Sequence, residues 1–212
     1  AQDHLESIHE QLQALPSLEL NSLDPEKTVL IHIDLVEGFL RTGALHSKDA
    51  AEILPFVVKV NDVMKEYKKI FVLDSHDEGA VEFGSYPPHC VLGSGEEELV
   101  EELLPYVEDH LVLRKNSTNL IHAAAFQQWL KENDRITDFV FVGVVTDICV
   151  LQACLTLRSY FNEHNAKKEL HVLVPGVDTF HLDATQHHRG LMNLFGLYNM
   201  KMNGIHLYSD LK

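Results

Sequence analysis

The sequence predicts a three-layer α/β sandwich, and three observations carry that expectation. Short apolar runs recur at residues 28–33, 69–73, 111–113, 138–143 and 170–174, with a weaker one at 205–208. They are apolar throughout rather than alternating, the pattern of strands buried on both faces. Stretches of helical spacing separate them, and regular strand–helix alternation marks a parallel sheet covered on both sides.

Along the chain, Leu5, Ile8, Leu12 and Leu15 fall at helical spacing, which predicts an amphipathic helix that Pro16 stops. A polar stretch through Lys27 follows, so residues 1–26 read as a helical extension and 27–212 as one domain. Helices are expected near 50–67, 95–104, 122–132, 148–163 and 184–197. Ser94 with Glu97 reads as a capping box for the second of these. The acidic run Glu96, Glu97, Glu98, Glu101 and Glu102 reads as that helix's solvated face.

The 212 residues, 45% hydrophobic, suffice for one sizeable core. A net charge of −15 argues against nucleic acid and anionic membranes, because a phosphate surface demands a basic face. No apolar run approaches the roughly 20 residues of a membrane helix, and the first residues are too polar for a secretory signal. Three cysteines, Cys90, Cys149 and Cys154, are too few and too odd for a disulfide framework. They point to a reducing compartment, so a cytoplasmic protein is expected.

In an open α/β sheet, ligands gather at the carboxyl ends of the strands. The residues just after each apolar run are therefore informative. The first run is followed by Asp34, the second by Asp74, Ser75 and His76, and the third by Arg114 and Lys115. The fourth leads through Gly143, Val144, Val145, Thr146 and Asp147 to Cys149. The last sits at the first turn of a helix, with Thr146 or Asp147 as candidate cap, where the helix N-terminus lowers a thiol pKa. With Asp34 and Lys115 it makes a nucleophile, a base to take its proton and a cation to stabilise charge. Cys154 reads as core, and Cys90 is left open.

Asp74 and His76, two apart on extended backbone, point the same way. His89 follows the stiff Pro87-Pro88 pair. A carboxylate with two imidazoles suits Zn²⁺, Fe²⁺ or Mn²⁺. His181, His187 and His188 read as surface or helix-cap residues.

These residues also carry a family resemblance. Ile33-Asp34 followed by Glu37-Gly38-Phe39 and Gly43-Ala44-Leu45, with the segment from Gly143 to Val150, resembles the isochorismatase-like cysteine hydrolases. Asp74-Ser75-His76, the run from Tyr86 to Val91 and Lys115-Asn116-Ser117-Thr118 resemble the nicotinamidase group of that superfamily. The resemblance implies a six-stranded parallel sheet in the order 3-2-1-4-5-6, with the N-terminal helix an addition to it. It implies a catalytic triad of Asp34, Lys115 and Cys149, a cis Val144–Val145 peptide, and an oxyanion hole from the Val145 and Cys149 N–H groups. One divalent metal ion, Zn²⁺ before Fe²⁺ or Mn²⁺, would be held by Asp74, His76 and His89, with Glu82 as a further ligand. Phe39 and Tyr86 would wall the ring of a small pyridine or pyrazine amide. A homo-oligomer is left open, since the N-terminal helix could pack on its own domain or on a neighbouring subunit. Metal-free relatives acting on another small amide or ester, and non-catalytic relatives that bind a ligand, are the alternatives.

Overall fold

The computed structural model describes residues 2–212, and Ala1 of the expected N-terminal extension lies outside them. The apolar runs form a parallel sheet of six strands: β1 (Thr28–Ile33), β2 (Lys68–Asp74), β3 (Leu111–Lys115), β4 (Asp138–Val144), β5 (Glu169–Asp178) and β6 (His206–Tyr208). Their order across the sheet is β3-β2-β1-β4-β5-β6, as the resemblance implies. β1 and β4 are flanked on both sides by neighbouring strands and are almost wholly buried, which is why they read as unbroken apolar runs.

Two cores form, one on each face. On one, α2 (Leu54–Val63) packs Val57 and Val60 over Leu30, Phe71 and Val140. On the other, α3 (Ala124–Glu132), α4 (Leu151–Glu163) and α5 (Arg189–Met202) bring Phe126, Leu157 and Met200 onto Ile31, Val72 and Phe141. The N-terminal helix α1 (Gln2–Gln13) lies against this second layer through Leu12, while Lys201 donates to Gln11 at 2.9 Å.

Local structure departs from expectation in three places. A two-residue strand, Ser17–Leu18, pairs in parallel with Asp210–Leu211 near the end of the chain. Residues 95–104 form no α-helix. Glu97, only 3% exposed, instead accepts from the Gly93 and Gly95 N–H groups at 2.6 and 2.9 Å and closes a tight turn, which gives way to a 3-10 helix at Glu101–Tyr106. The acidic run is therefore not one solvated face. Finally, β5 does not stop at Val174 but continues through Pro175 and Gly176 to Asp178, with a register shift against β4 between Phe141 and Gly143.

One glycine governs how the strand ends meet. Gly143 is the register partner of Ile33 and has φ +132°, a conformation that side chains rarely adopt. A Cβ there would stand 2.1 Å from the Ile33 carbonyl oxygen. Gly143→Ala must therefore separate the strands leading to Asp34 and Cys149. A loss of roughly 3 kcal/mol or more in chemical denaturation is expected; an unchanged midpoint would show that this close approach matters little.

Candidate active site

Strand register assembles the charged centre. Asp74 ends β2 and Lys115 ends β3, and the two are ladder partners. Asp34 follows β1; its N–H donates to Val72 O at 3.0 Å, and the backbone then turns to φ +53°. Lys115 Nζ consequently lies 2.6 Å from Asp74 Oδ1, 2.9 Å from Asp34 Oδ2 and 3.8 Å from Cys149 Sγ. All four residues are buried.

Cys149 arrives on a π-helical turn, Thr146–Val150, that runs directly into α4. Neither expected cap acts as one. Thr146 Oγ1 is buried without a partner, and Asp147 turns its carboxylate to Thr179 and His187. The Val144–Val145 peptide is cis.

The electrostatics correct one expectation. Burial pushes the Cys149 thiol well above its ordinary pKa, and this outweighs the favourable charge of Lys115; Asp34 and Asp74 push it the same way. The resting group is a thiol. Burial, with the negative charge of Asp74 adding to it, raises Asp34 to about 7 against the pull of Lys115. Burial would raise Asp74 too, but Lys115 and hydrogen bonds from His76 and His89 hold it well below the usual carboxylate range. Lys115 is raised, because its anionic neighbours outweigh its own burial. Two acids beside one ammonium thus take different protonation states, the usual arrangement for dividing roles between them.

The second half of the site is a donor cluster. Ligand atoms of Asp74, His76 and His89 all lie within 4.8 Å of one another. His76 Nε2 and His89 Nε2 stand 2.9 and 3.1 Å from Asp74 Oδ2. Each ring is oriented from behind: His89 Nδ1 donates to Pro87 O at 2.8 Å and His76 Nδ1 to Asn116 Oδ1 at 2.9 Å. With Nδ1 engaged behind, both Nε2 atoms face inward onto Asp74, where each would ligate a metal once its proton is displaced. Glu82 Oε2 is buried without a hydrogen-bond partner, 3.6 Å from His76 Nε2, and burial raises its pKa. An orphaned carboxylate oxygen beside two inward imidazoles fits a divalent cation.

Thiol and donor cluster open on one cavity of about 310 Å³. Phe39 and Tyr86 line it, their rings 5.6 and 6.2 Å from that of His89. The structure therefore brings together Asp34, Asp74, His76, Glu82, His89, Lys115 and Cys149 with both aromatic residues. Cys154 and Cys90 are buried, and Cys90 donates its N–H to Glu96 at 2.9 Å.

Sequence reading missed the wall formed by Phe180, His181 and Leu182. The strand-end rule would have found it, but Pro175-Gly176 read as the end of a strand that runs on to Asp178. His188 caps α5, accepting from Leu191 N–H at 3.3 Å, as expected. His187 does not lie on the surface as expected: it is half-buried and pairs with Asp147 at 2.8 Å.

Comparison with known proteins matches the isochorismatase domain over residues 28–195. Nicotinamidase 1 of Arabidopsis thaliana is 29% identical over 210 residues, spanning 86% of this chain and 85% of that protein. A pyrazinamidase/nicotinamidase of Streptococcus mutans superposes with a TM-score of 0.71 at 22% identity, covering 85% of this chain and 99% of the other. The pyrazinamidase of Pyrococcus horikoshii in complex with zinc gives 0.69 at 21%, covering 85% and 98%. The chain belongs to the isochorismatase domain family. Within it, this is a cysteine hydrolase.

Asn116→Ala removes the acceptor that orients His76. Zn²⁺ affinity measured by dye competition is expected to fall about 10–100-fold; an unchanged affinity would mean that this hydrogen bond plays no part in preparing the cluster.

Proposed function

We propose that the chain hydrolyses nicotinamide to nicotinate and ammonia, accepts pyrazinamide as well, and requires a divalent metal ion, Zn²⁺ first. One observation carries this reading. Lys115 touches both Asp34 and Asp74, so the thiol centre and the donor cluster are halves of one site facing one small, aromatic-walled cavity. The relatives named for nicotinamide and pyrazinamide chemistry, one of them in complex with zinc, support it.

Asp74, His76 and His89 would hold the ion, with Glu82 as a further ligand. When bound, it supplies a Lewis-acid point for the ring nitrogen of the substrate. Phe39 and Tyr86 flank the ring. Asp34 takes the proton of Cys149 as Sγ attacks the carboxamide carbon, and Lys115 offsets the charge that develops. The oxyanion is met by the Val145 and Cys149 N–H groups. Asp34 passes its proton to the amide nitrogen, the C–N bond breaks, and ammonia leaves a thioester on Cys149. Asp34 then takes a proton from water as its oxygen attacks the thioester carbon. Collapse releases nicotinate, and the proton returns to sulfur. A base near 7 suits this shuttle, because it can both accept and return a proton at neutral pH. The three unpaired cysteines accord with the cytoplasm, and the reaction with pyridine-nucleotide salvage.

Cys149→Ala should reduce ammonia release to the uncatalysed background with the fold intact by circular dichroism; retained turnover would end the thiol mechanism. Chelation should abolish activity and added Zn²⁺ restore it, while indifference to chelation would remove the metal from the scheme.

The pH profile provides a separate check. Asp34 is raised, so it loses its basic form as pH falls through about 7. The value of kcat/KM should then drop about tenfold per unit on the acid side. A profile flat down to pH 5 would exclude Asp34 as the base.

A further inference from the structure

The cavity's outer wall belongs to a hairpin that is otherwise poorly anchored. Residues 181–186 are all exposed, so packing does little to fix them. The hairpin closes on itself through paired backbone bonds between Leu182 and His187 at 2.9 and 3.0 Å. Its base is held by Asp178, which accepts from Arg189 Nε at 3.1 Å and Asn193 Nδ2 at 2.8 Å. Neither set of bonds sets its distance from the nucleophile.

Asp147 does that. It stands two residues before Cys149 on the same turn. Its Oδ1 accepts from Thr179 Oγ1 at 2.6 Å, and its Oδ2 lies 2.8 Å from His187 Nε2. His187 in turn donates Nδ1–H to Phe180 O at 2.9 Å and stacks on the Phe180 ring, with centroids 3.8 Å apart and an interplanar angle of 11°. Thr179 is fully buried, and Asp147 and His187 side chains are each 13% exposed, so these bonds form largely out of water. One carboxylate on the nucleophile turn thereby grips both ends of the wall segment.

We propose that Asp147 is a positioning residue that sets substrate specificity: through Thr179 and His187 it fixes Phe180 and Leu182 as the wall facing Cys149, and so limits the size of amide that can reach the thiol. Which substrates are excluded rests on the amidohydrolase reading above; access to Cys149 does not.

The test compares alkylation of Cys149 by iodoacetamide and by a bulky N-arylmaleimide, followed by mass spectrometry of the Cys149 peptide. Thr179→Val and His187→Phe each remove one bond to Asp147 while keeping bulk, and Thr179→Ser restores the hydroxyl. The ratio of bulky to small reagent rates should rise about tenfold in Thr179→Val and His187→Phe, the equivalent of one hydrogen bond, and return to the wild-type value in Thr179→Ser. In an Asp147→Ala background, Thr179→Val should add nothing. With nicotinamide, KM should rise while kcat stays within about twofold, because the wall acts on binding and not on the thiol. An unchanged reagent ratio in both single variants, with melting temperatures intact, would overturn the proposal. If wild-type protein hydrolyses neither nicotinamide nor pyrazinamide, the substrate reading fails, and the reagent ratio still decides the wall.

Discussion

The structure turns on a buried ammonium. Lys115 Nζ sits between the carboxylates of Asp34 and Asp74, and donates a longer hydrogen bond to Cys149 Sγ at 3.8 Å. Taking an ammonium out of water costs several kcal/mol, and only close opposite charge offsets it. Here two acids share one cation, so the group carries more negative than positive charge. That surplus cannot be spread evenly. Asp74, which also receives His76 and His89, stays ionised, while Asp34, with Lys115 alone, is raised to about 7. A ligand and a base thus come from the same residue type, set apart by their neighbours.

Backbone packing makes this possible. Asp74 and Lys115 meet because they are ladder partners at the ends of adjacent strands. Asp34 and the Cys149 turn meet because Gly143 lets β4 close on Ile33. Behind the turn, Gly196 of α5 lets that helix pack within 3.3 Å, at its would-be Cβ, of Asp147 Cα and Thr146 Cγ2. The nucleophile is therefore pressed from behind by a helix and faced by a sheet edge, a rigid setting for a group whose attack geometry matters.

Much of this was legible in the sequence. Strands buried on both faces leave unbroken apolar runs, and the strand-end rule then located Asp34, Asp74, His76, Lys115 and Cys149 without structural help. What escaped was set by tertiary partners. Glu97 reads as part of a helix, yet its carboxylate finds the N–H groups of Gly93 and Gly95 and closes a turn instead. The low thiol pKa expected at a helix start gives way to burial, which no local pattern reports. β5 passes through Pro175-Gly176, a pair that locally signals a stop, so its true end and the wall beyond it were overlooked. His187 was misread because its partner, Asp147, is 40 residues away.

The proposed reaction depends on bond formation at one sulfur. The most direct measurement is mass spectrometry of the Cys149 peptide, acid-quenched during turnover of nicotinamide. A nicotinoyl thioester on Cys149, appearing with substrate and decaying as it is consumed, is the predicted result. Steady ammonia release with Cys149 unmodified, at a quench time shorter than one turnover, would contradict it.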